Sequence, residues 1–511
     1  MTGGSRLPRS AWLALGAVGG GLVLSADDRF GLIAIAVALG MAPAAVAVRL
    51  VRPNSSAIRA GTAAILGASF GATLVIARAA LLPGTSAVAG VTAGSSGPRI
   101  AVVESVGSPK GTEQIAQIRL GDDPAQPGSG ALVEALLPRF PEIGPGDRIS
   151  VEGSVRPPGP DEYGAYLRRL GAAGSLRSPT LVIIAGPTGP RGWIDAVRRT
   201  AADALGRALP EPEAGLADGI LIGLRERVDR DLAAAFTTAG VSHIVAISGW
   251  NIAIVAALVS ALLAGRVGIR PRTTITLVAI VGYTVVAGAS PSVNRAAVMA
   301  AIGLTARATG RSSSALAALG WAVLLLLVLD PGAVTDPGFA LSGTATAGLI
   351  AWSTPLAERL SRARFGRGAG GVLPGWLAES LAISLTAEAA TLPIVLLTFG
   401  RLAIVAPLAN LATVPLVPPA MAAGAIALGA GGLGMLGLPA PIVTALGLPA
   451  WAVLGLLVAL VRLAASLPFA SLSLPAPWNV VAAVVVATGL GLLVAGRRAI
   501  AVLQPGPVPT S

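Results

Sequence analysis

The chain has 511 residues, 54% of them hydrophobic and only 12% charged, with a mean hydropathy of +0.76. A soluble domain carries about 25% charged residues, so this composition excludes an ordinary soluble globule and implies a multispanning α-helical membrane protein. One histidine and no cysteine exclude a typical zinc site, a thiolate nucleophile and a disulfide framework, and no cofactor is expected. The net charge of +12 comes almost wholly from arginine, Lys110 being the single lysine. Short arginine-bearing loops that orient helices account for it.

Residues 1–82 read as N-terminal transmembrane helices, with spans near 10–26, 30–50 and 58–82. The first apolar run is taken as a retained span rather than a signal peptide, because others follow it. Arg6 and Arg9 before it, and Arg49, Arg52 and Arg59 around the second turn, place the N-terminus in the cytoplasm. Residues after about 83 then emerge outside.

Residues 83–190 change character. Alternating apolar runs at Arg99–Gly107, Glu113–Asp122, Leu132–Phe140, Asp147–Val155 and Thr180–Ala185 are separated by Gly/Pro turns. Strands at this spacing predict a small extracytoplasmic β-barrel, OB-fold-like, inserted between membrane helices. Its charges roughly balance, and Phe140, Tyr163 and Tyr166 are its aromatics. Single-strand binding by stacking and a structural cap over the membrane helices both remain open.

Residues 191–240 read as amphipathic helices, with Trp193, Ile194, Val197, Ala201 and Leu205 on one face. The run Arg225–Asp231 is too charged to cross lipid, so these helices are expected on the outer surface. Residues 241–498 form the main membrane domain, and 499–511 a short tail. Its spans are expected near 241–265, 273–290, 293–307, 312–330, 338–353, 375–398, 402–429, 433–461 and 477–496. Loop charges alternate accordingly: Arg266, Arg270 and Arg272 inside, Asp330 and Asp336 outside, Arg359 to Arg367 inside.

Polar groups inside such spans are expensive and need a reason. His243 lies near the outer end of its span, with Ser248, Gly249 and Asn251 one to two turns deeper. On an unbroken helix His243 and Ser248 would stand about 140° apart, so Ser248-Gly249 is a candidate helix break. Ser292, Asn294 and Arg295 follow Pro291 at the start of another helix, where a guanidinium beside a helix N-terminus suits a phosphate. The alternative is that Arg295 snorkels to the interface. Pro337 to Ser342 opens a third segment, too small and polar for a lipid-facing helix. Glu388 lies well inside span 375–398 and is expected to find a proton or a partner, Arg295 being a candidate. Asn410, Pro415, Pro418 and Pro419 interrupt span 402–429, as in a discontinuous helix. All fall in or near the outer half of the membrane. They line a polar vestibule or pore mouth, or they are hydrogen-bond glue between helices.

In this order these elements resemble the ComEC family of bacterial competence DNA channels, over roughly residues 1–500. Phe236 to Asn251 looks like the family's signature ending in an SGLH-type element, and Pro291–Arg295 with Ala296 and Met299 its PS-x-x-RA-x-x-M element. Asp336 to Ser342 resembles its DPGF-x-LS element. Glu388 to Gly400 and Asn410 to Pro415 resemble its late membrane motif, and Pro160–Leu167 the end of its barrel region. Family members commonly carry Leu-His where this chain has Trp250-Asn251, so no role needing a second imidazole is carried over.

The resemblance implies a multi-pass channel of the bacterial cytoplasmic membrane that passes single-stranded DNA inward during natural transformation. Its expected partners are single-stranded DNA, membrane lipids, a cytoplasmic motor and extracytoplasmic DNA-receptor proteins. No Walker A loop surrounds Lys110. The metallo-β-lactamase-like domain that many members carry is not expected in these residues, since one histidine cannot build its site; strand degradation would then need a separate nuclease. The chain is therefore not expected to be an enzyme. Rival readings are a transporter of another solute, which broken helices permit, and a membrane-embedded hydrolase using His243 with Ser248 or Glu388, which lacks a recognisable oxyanion arrangement.

Overall fold

A computed structural model describes residues 8–26, 64, 66–75, 78 and 98–503, except 108–111, 122–129, 142, 160–162, 165–166, 168–171, 188, 246, 248, 311–313 and 363–372. The span expected at 30–50, most of that at 58–82, and Ser248 lie outside the described residues. Helix α1 is Arg9–Ala26 and α2 is Leu66–Val75. Their glycines let the backbones touch: a Cβ added at Gly16 would sit 1.8 Å from the Ala68 carbonyl oxygen. Small residues allow this approach where lipid supplies no hydrophobic drive between helices.

The sheet domain comprises β1 Pro98–Val106, β2 Glu113–Leu120, β3 Leu132–Pro138, β4 Arg148–Glu152, β5 Val155–Arg156, β6 Gly174–Arg177 and β7 Leu181–Ala185. Alternation sets its inner face, with Gln114, Ala116, Ile118 and Leu120 buried along β2 while Arg119 points out. The order is β5-β6-β3-β2-β1-β4-β7, antiparallel except for the parallel β3–β6 pair. Five expected strands become seven. The two extra ones are too short to show a period of two, and β6 begins at a glycine. Among the described residues no ladder joins β5 to β7, so the closure expected of a barrel is not shown.

Helix α3 (Gly189–Ala208) leads to α4 (Glu213–Ala217), a π-helical turn at Asp218–Ile222, a 3-10 turn at Arg225–Arg227, α5 (Arg230–Thr238) and α6 (Ser242–Val245). Asp229 caps α5, accepting from the Leu232 amide at 2.9 Å. Then come α7 (Gly249–Leu263), α8 (Ile269–Val286), α9 (Pro291–Ala308), α10 (Ala315–Leu329) and α11 (Pro337–Arg362). The last are α12 (Gly375–Phe399), strand β8 (Arg401–Ala403), α13 (Ala406–Thr413), α14 (Val417–Met435), α15 (Ala440–Ser466), strand β9 (Ser471–Ser473) and α16 (Trp478–Leu503). Helix α16 runs past the expected end of the last span.

Three helical runs are long and apolar enough to cross a membrane: Gly375–Phe399, Ala406–Met435 and Ala440–Ser466. They expose large apolar side chains such as Leu433, Ile442, Trp451 and Leu463, as lipid-facing surfaces do. The charged segment that precedes the main bundle is not a free-standing layer. Leu205, Leu216, Ile220, Leu232 and Phe236 share one core with Ala427, Leu454 and Val461 of the α14–α15 hairpin. Glycines seat it there, because a Cβ at Gly431 would lie 1.8 Å from the Ala204 carbonyl oxygen and one at Gly447 2.3 Å from that of Ala208.

Candidate functional site

The chain places its polar residues at joints between successive helices. At the first joint the helix is interrupted between Val245, which ends α6, and Gly249, which starts α7. This is where the sequence expects a break. His243 is exposed on α6. Gly249 faces α9, where an added Cβ would meet that of Ala296 at 3.4 Å. Asn251 is 2% exposed and donates from Nδ2 to the Ile220 carbonyl at 2.9 Å. Ile220 belongs to the π-helical turn, a distortion frequent at functional sites.

That turn carries an acid the sequence reading missed. Asp218 is 2% exposed, its Oδ1 has no partner, and its Oδ2 is 3.9 Å from Arg227 Nη1. Burial pushes the Asp218 carboxyl up to about 7; Arg227 opposes the shift, and Glu211, Asp203 and Glu226 add to it. The only sequence signal was an acid among the apolar residues Leu216, Ala217, Ile220 and Leu221.

The second joint is the start of α9. Gly288 and Ala289 both have left-handed backbone, φ +84° and +48°. Alanine is rarely found there, and Asn294 helps to hold it by donating Nδ2 to the Ala289 carbonyl at 2.7 Å. Ser290 precedes Pro291 at the N-cap without making a side-chain cap bond, and its buried hydroxyl has no partner. Ser292 Oγ lies 2.9 Å from Ser342 Oγ of α11. Arg295 is 6% exposed and donates from Nη1 to the Ser342 carbonyl and to Thr346 Oγ1, while its Nε has no partner. Asp336 explains the Asp-Pro-Gly-Phe element: it accepts from the Phe339 amide at 2.6 Å and caps α11, with Pro337 at the first helical position.

The third joint is α11 on α12, where a Cβ at Gly348 would meet the Ala390 Cβ at 2.5 Å and the Thr386 carbonyl oxygen at 3.0 Å. The fourth is α12 on α13, where Asn410 donates from Nδ2 to Ser384 Oγ at 3.0 Å. A 3-10 turn at Val414–Leu416, around Pro415, interrupts the α-helical bonding between α13 and α14 within one continuous helical run.

Arg295 and Glu388 do not pair, and among the described residues Glu388 forms no ion pair. Helical geometry gives the reason. Thr386 and Ala390 face α11, and Glu388, two positions from each, stands about 200° around the helix from either. Arg295 reaches only the near side of α11. The candidates thus form a series of joints rather than one pocket, and hydrogen bonds between helices use most of their polar atoms. Thr346, in the polar segment that follows Ser342, completes one of those bonds, while Ser384 and Ile220 complete the others and were missed, since a lone hydroxyl or a backbone carbonyl leaves no pattern in a sequence.

Residues 220–498, more than half of the chain and all four joints, match the model of a family described as competence protein. The chain belongs to this family. Within the competence proteins it is similar to ComE operon protein 3 of Bacillus subtilis (strain 168), at 25% identity over 272 residues. That alignment covers 53% of this chain and 33% of the relative, so the match spans about a third of the relative's length. No solved structure matches. The competence match starts at the π-helical turn and thus takes in Asp218's neighbours as well as Asn251, Arg295, Glu388 and Asn410.

Proposed function

We propose that this competence protein is a multi-pass channel that carries single-stranded DNA inward across the cytoplasmic membrane during transformation. The observation that carries this is the start of α9. There a helix N-terminus without a side-chain cap, the free Ser290 hydroxyl and the free Arg295 Nε gather unused donors inside an apolar bundle. Donors and a guanidinium without a carboxylate favour an anion, and a phosphate backbone offers one at every nucleotide.

Several contacts join segments expected on the same side, and against them stands the packing of Ala204, expected outside, on Gly431, at the expected cytoplasmic end of its span. Ser10 donates to the Ala317 carbonyl at 3.1 Å, and both belong to expected cytoplasmic ends. A Cβ at Gly21 would meet Val334 at 3.1 Å, and one at Gly240 would meet Ala403 and Ala406 at 2.6 Å; all are expected outside. The β8–β9 ladder likewise joins two expected outer loops. We place the N-terminus in the cytoplasm and the sheet domain outside, with an OB-like role in receiving DNA. A cytoplasmic motor and an outer DNA receptor are proposed as partners on the resemblance alone.

Arg295→Ala and Arg295→Lys test the assignment. Transformation should fall strongly in the first and partly recover in the second, with equal amounts of protein in the membrane. Normal transformation in Arg295→Ala would remove this residue from the path.

A further inference from the structure

The joint between α12 and α13 has the opposite chemistry from the start of α9. Glu388 Oε2 and Asn410 Oδ1 are both buried, and neither has a donor. Ser384 and Glu388 are four residues apart on α12 and share one face. Asn410 is fixed to that face through its 3.0 Å bond to Ser384. Long helical side chains tend to lean toward the helix N-terminus, and from Glu388 that is the direction of the Ser384 turn.

Backbone acceptors add to the surplus. Pro393 lies inside α12, so the Ala389 carbonyl beside Glu388 loses its helical donor. Pro415 and Pro419 likewise lack the amides that would serve the carbonyls of Leu411 and Pro415, just beyond Asn410. Thr391 adds a hydroxyl oxygen whose bonds run to the Ala387 and Glu388 carbonyls. Unpaired acceptors in an apolar setting are costly, at about 1–3 kcal/mol each.

We propose that Glu388 and Asn410 form a binding site for a small monovalent cation, either a proton or a sodium ion, between α12 and the broken α13–α14 helix. One proton on Glu388 would remove its charge and supply a donor for a neighbouring acceptor such as Asn410 Oδ1. Sodium would use the same two oxygens and the freed carbonyls, as cations do at interrupted helices. The site stands apart from the anion-favouring start of α9, because α11 and the body of α12 lie between them. It does not depend on what the channel carries.

The charged groups on the elements around Glu388 are few. Helix α12 has Glu379, α11 has Glu358, Arg359 and Arg362 in its last two turns, β8 has Arg401, α16 has Arg497 and Arg498, and α13 has none.

The test is carbodiimide labelling of the purified full chain in detergent, with the modified peptide identified by mass spectrometry. The reagent attacks protonated buried carboxyls, so Glu388 should label and Glu388→Gln should not. Labelling should fall with rising pH, by about tenfold per unit beyond the midpoint. Protection by sodium chloride but not choline chloride assigns sodium; pH dependence without protection assigns the proton. Asn410→Leu should displace the profile in either case. Wild-type protein whose Glu388 does not label, or labels independently of pH and sodium, overturns the site. DNA uptake enters none of these readouts, so failure here leaves the channel proposal untouched.

Discussion

Asp218→Asn tests the energetics of the π-helical turn. In the folded chain the Asp218 carboxyl holds its proton up to about pH 7, whereas the ordinary value is 3.8. Between those limits the folded state keeps a proton that the unfolded chain has released. Stability therefore falls as pH rises from about 4 to 7, and is flat above. A shift of this size corresponds to at most about 4 kcal/mol at 1.36 kcal/mol per unit. The distant Arg227 contact returns at most about 1 kcal/mol. Asn has the same shape and no proton to lose. Thermal unfolding in detergent should give matching midpoints near pH 4 and a more stable variant at pH 8, by about 2–4 kcal/mol. An offset equal at both pH values, or wild type more stable at pH 8, would refute the assignment of a buried, under-paired carboxylate.

Further substitutions test the joints. Asn251→Leu should strand the Ile220 carbonyl and destabilise the chain by about 1–3 kcal/mol, and hydrogen exchange should quicken at Asp218–Ile222. Gly348→Leu should force α11 away from α12 at a cost of about 1–3 kcal/mol or more, lowering both the thermal midpoint and transformation. Asp336→Ala should remove the α11 cap at about 1 kcal/mol, whereas Asp336→Asn keeps the acceptor and should stay near wild type.

Much of the architecture was legible because its signals are strong and periodic. The long apolar runs gave the late helices, alternation gave β1 to β4 and β7, and Pro415 with its neighbours marked the broken helix. Strands β5 and β6 were not legible: they are too short to show a period, and β6 is held by pairing with β3 and β5 by pairing with β6. The site was legible as a set of residues but not as an arrangement. Asn251, Arg295 and Asn410 were visible as polar groups in apolar runs, yet their partners are a carbonyl and lone hydroxyls on distant helices. Pairing Arg295 with Glu388 followed opposite charge alone. The helical phase of Glu388 relative to Thr386 and Ala390 puts the carboxylate on the other side of α12. Asp218 was hidden because its turn is buried between neighbouring helices and α14, far along the chain.

Uptake of fluorescent DNA by host cells, with and without this gene, tests the channel most directly. The account predicts nuclease-protected label inside complemented cells, recovered as single strands, and label confined to the outside when the gene is deleted or carries Arg295→Ala. Equal internal label in the deletion strain would contradict it.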